Sequence, residues 1–381
     1  MAKQLSGQQI VRAPGRINLI GEHTDYNGGL VLPMAIDLET RLEFTSTDDR
    51  IVDVVRDDTG ERAVIDLDQR ATPGTGRRGD WTDYVAGTAW ALREGGGQAR
   101  GFVGSLTGNL PIGQGLSSSA ALELACAWAL SVGQPPLQDR MAVALACQRA
   151  ENEFVGMPCG ILDQFAVAFG VRDAALLLDC RSLEHRPVAL PAGAAFLLVE
   201  SGVTRQLRGS GYQQRRRECE AAAAALAAID PSVRSLRDVT SELLERARDR
   251  LDERLLRRAR HVVTENARVL ATVRAFEADD LPAAGRAFLA SHASLRDDFE
   301  ASVPAVDRLV EVAAAIQGVH GARLTGGGFG GAVVVLADAD AAEAVAAEMR
   351  TRYETPSGHE PVVRQVRASG GAGLAAAAGW T

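Results

Sequence analysis

The sequence predicts an α+β protein of two domains, residues 1–185 and 186–381, and three observations point there. The chain has 381 residues; at roughly 150 residues per domain, two or three domains are expected. Strand-like runs fill much of the first 110 residues, helical runs dominate from Ser118, and both recur later. Around Leu183–Pro191 the texture changes: His185-Arg186-Pro187 and Pro191 bracket a predicted loop, so the boundary is placed near residue 185.

The elements follow in order. Gln9 to Asp25 reads as a short strand, a Pro14-Gly15 turn and a second apolar run. Gly28-Gly29 turns the chain, and Leu30–Ile36 continues as a strand. Thr40–Ser46 and Ile51–Arg56 alternate apolar and polar residues as strands do, and Ala63–Leu67 is a weaker third. Thr72–Asp80 is a loop. Trp81–Arg93 is helical and stops at Gly95-Gly96-Gly97. Phe102–Leu106 is a strand, and Asn109–Gly115 is a Gly-rich loop. Helices are predicted over Ser118–Val132, over Leu137–Phe154 after a Pro pair, and over Ile161–Phe169. Ala174–Asp179 is a strand.

Beyond the boundary, Ala195–Glu200 restarts as a strand. Helices follow over Tyr212–Ile229, Val239–Ala247, Leu251–Phe276, Leu281–Leu295 and Val303–Ile316. Gly321–Thr325 and Ala332–Leu336 are strands, Ala341–Tyr353 a helix and Pro361–Ala368 a last strand. Gly370–Thr381 reads as a frayed tail. The Arg clusters 215–217 and 254–260 sit in helical patterns rich in Glu and Asp, which predicts solvated faces with i,i+4 pairs.

Composition excludes several classes. A net charge of −8 argues against a dedicated nucleic-acid binder, which needs a basic face for phosphates. The five cysteines are widely spaced with no CxxC, so reduced thiols are expected rather than disulfides or zinc. No apolar run reaches 18 residues and no secretory h-region is evident, so neither a membrane nor a secretory role is expected and the location is read as cytoplasmic. The only lysine is Lys3, in a polar N-terminus. A Walker A loop, a protein-kinase site and Schiff-base chemistry all need a placed lysine, and none is available.

Four segments carry chemistry. Pro111-Ile112-Gly113-Gln114-Gly115-Leu116-Ser117-Ser118-Ser119-Ala120-Ala121 lies between a strand and an Ala-rich helix. Its glycines let backbone approach a phosphate, and its serines add donors where a helix start favours an anion. Leu324-Thr325-Gly326-Gly327-Gly328-Phe329-Gly330-Gly331 costs chain entropy and suits close approach of a ligand or of another backbone. Pro14 to Gly29 packs Arg, Asn, Glu, His, Asp and Tyr between apolar runs, a cluster able to hydrogen-bond a polyol. A metal site at Glu22-His23-Asp25 is the weaker reading, since no further His or Cys is close. In Glu151–Phe165, Glu151 ends one helix and Asp163 opens the next, suggesting a magnesium ligand and a general base, although a carboxylate there can also simply complement a helix dipole.

Together these strings resemble the galactokinase family of the GHMP small-molecule kinase superfamily. GRINLIGEHTDYN (16–27 with Gly15) resembles its sugar signature, PIGQGLSSSAA its phosphate loop and LTGGGFGG its C-terminal glycine motif. MPCGILDQF, LLLDCRSLE, GSGYQQRRRECE and SLRDDFE add to a resemblance spanning about residues 9 to 366. It implies a two-domain GHMP kinase fold with mixed sheets, helices packed on them and the active site in the interdomain cleft. It also implies transfer of the γ-phosphoryl of ATP to α-D-galactose with Mg²⁺. The alternatives are a kinase for N-acetylgalactosamine or arabinose, or a non-catalytic galactose and ATP sensor.

Carried over by resemblance, Glu22, His23, Thr24, Asp25, Gly160, Asp163 and Tyr212 would bind the sugar. Gly113, Gln114, Gly115, Leu116, Ser117, Ser118 and Ser119 would hold the nucleotide phosphates, with Ser119 and Glu151 on Mg²⁺. Asp163 would be the base and Arg16 the transition-state stabiliser, with Trp81 near the adenine. Two positions depart from the family pattern: Ala332 stands where Cys is frequent, and Glu200-Ser201-Gly202 where Asn-Ser-Asn is frequent. Galactose and ATP are the expected partners, with no nucleic acid and no membrane. The chain is expected to be a monomer, or at most a weak homo-oligomer.

Overall fold

The computed structural model describes residues 7–69, 72–74, 77–97, 99–111, 114–131, 139–204 and 210–375. The first half runs β1 (Gln9–Asn18), β2 (Leu30–Val31), β3 (Pro33–Ser46), β4 (Ile51–Arg56), β5 (Arg62–Asp66), α1 (Thr82–Glu94), β6 (Phe102–Gly108) and α2 (Ser118–Leu130). Then come α3 (Arg140–Arg149), a π-helical turn (Ala150–Val155), α4 (Leu162–Phe169), β7 (Ala174–Asp179) and β8 (His185–Ala189). The second half runs β9 (Ala194–Glu200), α5 (Ser210–Ala227), α6 (Ser241–Ala247), α7 (Glu253–Glu277), α8 (Leu281–Asp297) and α9 (Pro304–Ala314). It closes with β10 (Val319–Thr325), β11 (Ala332–Asp338), α10 (Ala342–Arg352), β12 (Val363–Val366) and β13 (Gly373–Leu374).

Three sheets result. The first has the order β13-β1-β3-β6-β4-β5 and is mixed, because β4 and β6 pair in parallel. The second, β2-β7-β8, and the third, β10-β11-β9-β12, are antiparallel in every described pairing, so the expectation of mixed sheets holds for the first alone. In the third sheet Phe196, Leu198, Val334 and Leu336 belong to the apolar core shared with the first half. Their alternating neighbours Leu197, Val199, Val333 and Val335 belong to the core under α9 and α10. Both faces are therefore buried, which is why β9 and β11 read as unbroken apolar runs. The chain passes to this sheet between Ala189 and Ala194.

Several expectations need correction. Pro14-Gly15 is not a turn: β1 runs straight through it, with a register shift against β3 between Pro14 and Arg16. The Arg16 N–H leaves the ladder for the carbonyl of Leu116 at 3.1 Å. A Cβ on Gly15 would strike Leu110 and that carbonyl, so this bulge needs glycine and aims Arg16 at the loop before α2. Leu30–Ile36 is divided between β2, which pairs with β7, and β3, which pairs with β1. Residues 185–189 form an edge strand rather than a loop, and Pro187 is tolerated there because an edge needs one ladder less. The tail is not wholly frayed, since Gly373 and Leu374 pair with β1. The predicted helix over Leu137–Phe154 ends in the π turn. Among the described residues no helix is long and apolar enough to cross a membrane.

Candidate active site

A cavity of about 820 Å³ opens where the two halves meet. It is large enough for two small substrates. Its walls bring together Arg16, Glu22, His23, Asp25, Gly115, Ser117, Ser118, Ser119, Glu151, Gly160, Asp163 and Tyr212, with Gly326, Gly327 and Phe329 from the glycine motif. Trp81 also lines it, with the Arg56 guanidinium 5.9 Å from its ring. Gly113 lies outside the described residues. Thr24 and Leu116 turn inward: Thr24 is fully buried and hydrogen-bonds the carbonyls of Gly21 and Leu30, and Leu116 packs in the core. Gln114 is partly exposed next to this wall.

Ser117 is the N-cap of α2, yet its φ of 58° is left-handed and its side chain caps nothing. Its buried Oγ finds no partner among the described residues. A helix start left with donors of its own and no capping acceptor is a place for an anion. His23 and Phe329, both on the cavity wall, also have left-handed φ values of 62° and 61°. Non-glycine residues held there store strain that the surrounding fold must hold in place.

Arg16 reaches two partners from the end of β1. Its Nε and Nη2 donate to Asp163 Oδ1 at 2.8 and 2.5 Å, and its Nη1 donates to the Gly115 carbonyl at 2.6 Å. The guanidinium thus ties the start of α4 to the loop before α2. In the first turn of α2, Ser119 Oγ donates to Glu151 Oε1 at 3.4 Å. Glu151 Oε2 accepts from Gln164 Nε2 at 2.7 Å, and that amide also donates to Glu123 Oε2 at 3.1 Å. Burial pushes Glu151 up to about 7, the charge of Asp163 adding to it, and burial pushes Glu123 well above the carboxylate range.

The sugar-signature residues Glu22, His23 and Asp25 line the same cavity. A Cβ on Gly160 would collide with the Asp25 carboxylate, so glycine is required for that close approach. Burial raises Asp25 to about 6, with the backbone N–H of Tyr26 pulling the other way and Asp163 adding to the rise. His23 Nδ1 lies 2.9 Å from the Tyr26 hydroxyl, and its ring sits 5.4 Å from Tyr212 and 4.5 Å from Phe299. Glu22 is gripped by the buried Arg323 and accepts the Gly326 N–H at 2.8 Å. Burial pushes its carboxyl upward, and Arg323 draws it back. Arg323 also donates to the carbonyls of Asn18 and Leu19 at 3.2 and 3.0 Å. It pins the sugar segment to β10.

Sequence reasoning missed Arg323, Gln164 and Glu123. It also misread two arginines as solvated. Arg258 is 1% exposed and donates to Glu218 at 2.6 Å and to Glu300 at 2.5 Å. Arg215 is buried too, donating to the carbonyls of Phe299 and Glu300. They join α5 and α7 to the turn that carries Phe299. Only exposed pairs such as Arg216–Glu220 match the expected i,i+4 pattern. The available signal was position: Arg323 stands in an apolar strand directly before the glycine motif.

Comparison with known proteins follows the same division. Residues 3–45 match the galactokinase galactose-binding signature, 83–171 the GHMP kinases N terminal domain and 272–355 the GHMP kinases C terminal model. A galactokinase from Roseiflexus sp. (strain RS-1) is 43% identical over 364 residues, covering 96% of this chain and 92% of that protein. The crystal structure of Lactococcus lactis galactokinase complexed with galactose superposes with a TM-score of 0.89 at 33% identity, over 96% of this chain and 95% of that one. Methanococcus jannaschii mevalonate kinase shares the fold, with a TM-score of 0.68 at 18% identity over 96% and 99% of the two chains. The chain belongs to the galactokinase family of GHMP kinases.

Proposed function

We propose that the protein transfers the γ-phosphoryl of ATP to the C1 hydroxyl of α-D-galactose, giving α-D-galactose 1-phosphate and ADP, the first phosphorylation of galactose catabolism. The observation that carries this reading is Arg16, whose guanidinium bonds both Asp163 and the carbonyl of Gly115 in the phosphate loop. One planar cation at the seam of two sites suits a group that moves between them. The Lactococcus lactis galactokinase is complexed with galactose, which supports the choice of sugar.

Phosphoryl transfer needs positioning and charge stabilisation more than covalent help. The uncapped start of α2 and Ser117–Ser119 hold the phosphates. Glu22, His23, Asp25, Gly160 and Tyr212 orient galactose. Both Arg16 bonds to Asp163 land on Oδ1, so Oδ2 is assigned to the C1 hydroxyl. As the hydroxyl oxygen bonds the γ-phosphorus and the bond to the bridging oxygen of ADP breaks, Asp163 receives the hydroxyl proton. A carboxylate is a weak base, which suits a loose transition state in which that proton leaves late. Arg16 balances charge on the moving phosphoryl. Ser119 and Glu151 offer two oxygen donors beside the phosphate loop, a set that fits Mg²⁺, which keeps most of its ligands as water and phosphate. When bound, Mg²⁺ neutralises phosphate charge.

A division near residue 185, the monomeric state and the cytoplasmic location are part of the same reading; β8 pairs with β7, so the first half keeps its edge strand through Ala189, and five free thiols suit a reducing compartment. The test is ADP release with galactose, glucose, N-acetylgalactosamine and arabinose, with the product identified by phosphorus NMR. Galactose should lead in kcat/KM by about a hundredfold or more over glucose. A preference for N-acetylgalactosamine, or no galactose-dependent ADP, would overturn it.

A further inference from the structure

We infer that Gln164 is a positioning residue for the Mg²⁺ pair Ser119 and Glu151, anchored for that task by the buried Glu123. The inference rests on the metal assignment made above. Gln164 follows Asp163 in α4 and is fully buried. Its single amide nitrogen bonds Glu151 on the π turn at 2.7 Å and Glu123 on α2 at 3.1 Å. One side chain thus links the helix that begins with the phosphate loop, the turn that carries Glu151 and the helix whose first turn carries Asp163.

The two oxygens of Glu151 have separate partners. Oε2 takes the Gln164 amide, with the Cys159 thiol 3.7 Å away, while Oε1 faces Ser119 Oγ at 3.4 Å. Holding Oε2 from behind fixes the carboxylate rotation and presents Oε1 together with Ser119 at the cavity wall. The backbone adds a second constraint. A π turn inserts an extra residue into the helical path and re-aims the side chains it carries. Asn152 clamps that turn by accepting from the Cys159 N–H at 2.6 Å and donating to the Cys159 carbonyl at 3.3 Å.

Stability alone does not ask for this arrangement. Glu123 is 0% exposed, and its Oε1 and the Gln164 Oε1 find no partner among the described residues. Burying unsatisfied acceptors is costly, and an apolar pair of similar volume would pack there at less cost. A polar chain kept behind a metal ligand, at that cost, is how proteins orient such ligands.

The test measures ADP affinity by calorimetry with and without Mg²⁺, which needs no turnover. In the wild-type protein Mg²⁺ should strengthen ADP binding. In Gln164→Met the strengthening should fall by about 10- to 100-fold, the usual effect of removing such a support. Metal-free ADP affinity and galactose affinity should stay within about twofold. Because Gln164→Met strands the Glu123 carboxyl and can impair folding, Glu123→Leu/Gln164→Met is measured alongside; it removes the stranded group and should show the same loss. A lowered melting temperature with the full Mg²⁺ response in either variant would overturn the inference. Ser119→Ala and Glu151→Gln separate the two levels. If they leave the Mg²⁺ response intact, the metal assignment fails and takes this inference with it; if they abolish it while Gln164→Met does not, only the positioning role fails.

Discussion

His261 shows how much of the site is decided by single buried groups. It is fully buried on α7, with Nε2 donating to the Glu22 carbonyl at 3.1 Å and Nδ1 facing the Ser294 hydroxyl at 2.9 Å. Glu265, Arg268 and Asp298 are the charges around it. Burial lowers it from its ordinary 6.5 to about 4. The unfolded chain therefore takes up the proton first. The contribution of neutral His261 is complete above pH 6.5 and is lost as the pH falls toward 4, by about 3 kcal/mol. The buried Asp25 carboxyl, raised to about 6, titrates in the opposite sense, so the difference from a variant is the clean measure. The stability advantage of wild type over His261→Gln, from urea unfolding, should shrink by about that amount between pH 7 and 4. An advantage independent of pH would mean His261 is not buried neutral. At this scale the sequence was legible where a residue faces the cavity and illegible where it faces other protein. Asp25 and Asp163 stand in recognisable strings, whereas Arg323 and Arg258 look like any surface arginine until a partner strand or helix closes over them.

At the scale of elements, helix and strand identities followed from periodicity, and the exceptions are places where packing overrides local preference. The Pro14-Gly15 bulge and the π turn both carry residues proposed for the site, and both break the sequence periodicity. The short β2 and β13 exist only because a distant strand pairs with them. Close crossings were equally hidden. Gly285 on α8 lies against β10 so tightly that a Cβ would collide with the His320 carbonyl, and one on Gly321 would meet the Gly285 backbone. Helix propensity favours Gly285→Ala by about 1 kcal/mol. Overpacking should reverse that sign and leave a net loss of about 1–3 kcal/mol by urea unfolding. Gly370→Ala, where nothing stands within 4 Å, is the control and should change stability by less than about 0.5 kcal/mol. A stabilised Gly285→Ala would show that α8 does not seat on β10 as described.

On the scale of the whole molecule, the cleft exists because two halves share a core instead of meeting at a loose interface. The third sheet buries one face against the first half, α7 contacts β2 and β8, and Arg323 and Gly326 hold Glu22 across the seam. None of this was readable from linear sequence, because the partners are distant in the chain, Arg323 and Glu22 by 301 residues; the motif strings told which residues meet, not how the sheets hold them together. Within that frame the proposed chemistry is local, with Arg16 and Asp163 where sugar and phosphate would meet and Asp163 as the proton acceptor. Asp163→Asn tests it most directly, with kcat, galactose affinity and melting temperature measured on one preparation. If Asp163 is the base, galactose binds within about tenfold of wild type and kcat is lower by roughly 10²–10⁴, the usual contribution of a general base. A lowered melting temperature with wild-type kcat would contradict it, leaving Asp163 as no more than a carboxylate at a helix start.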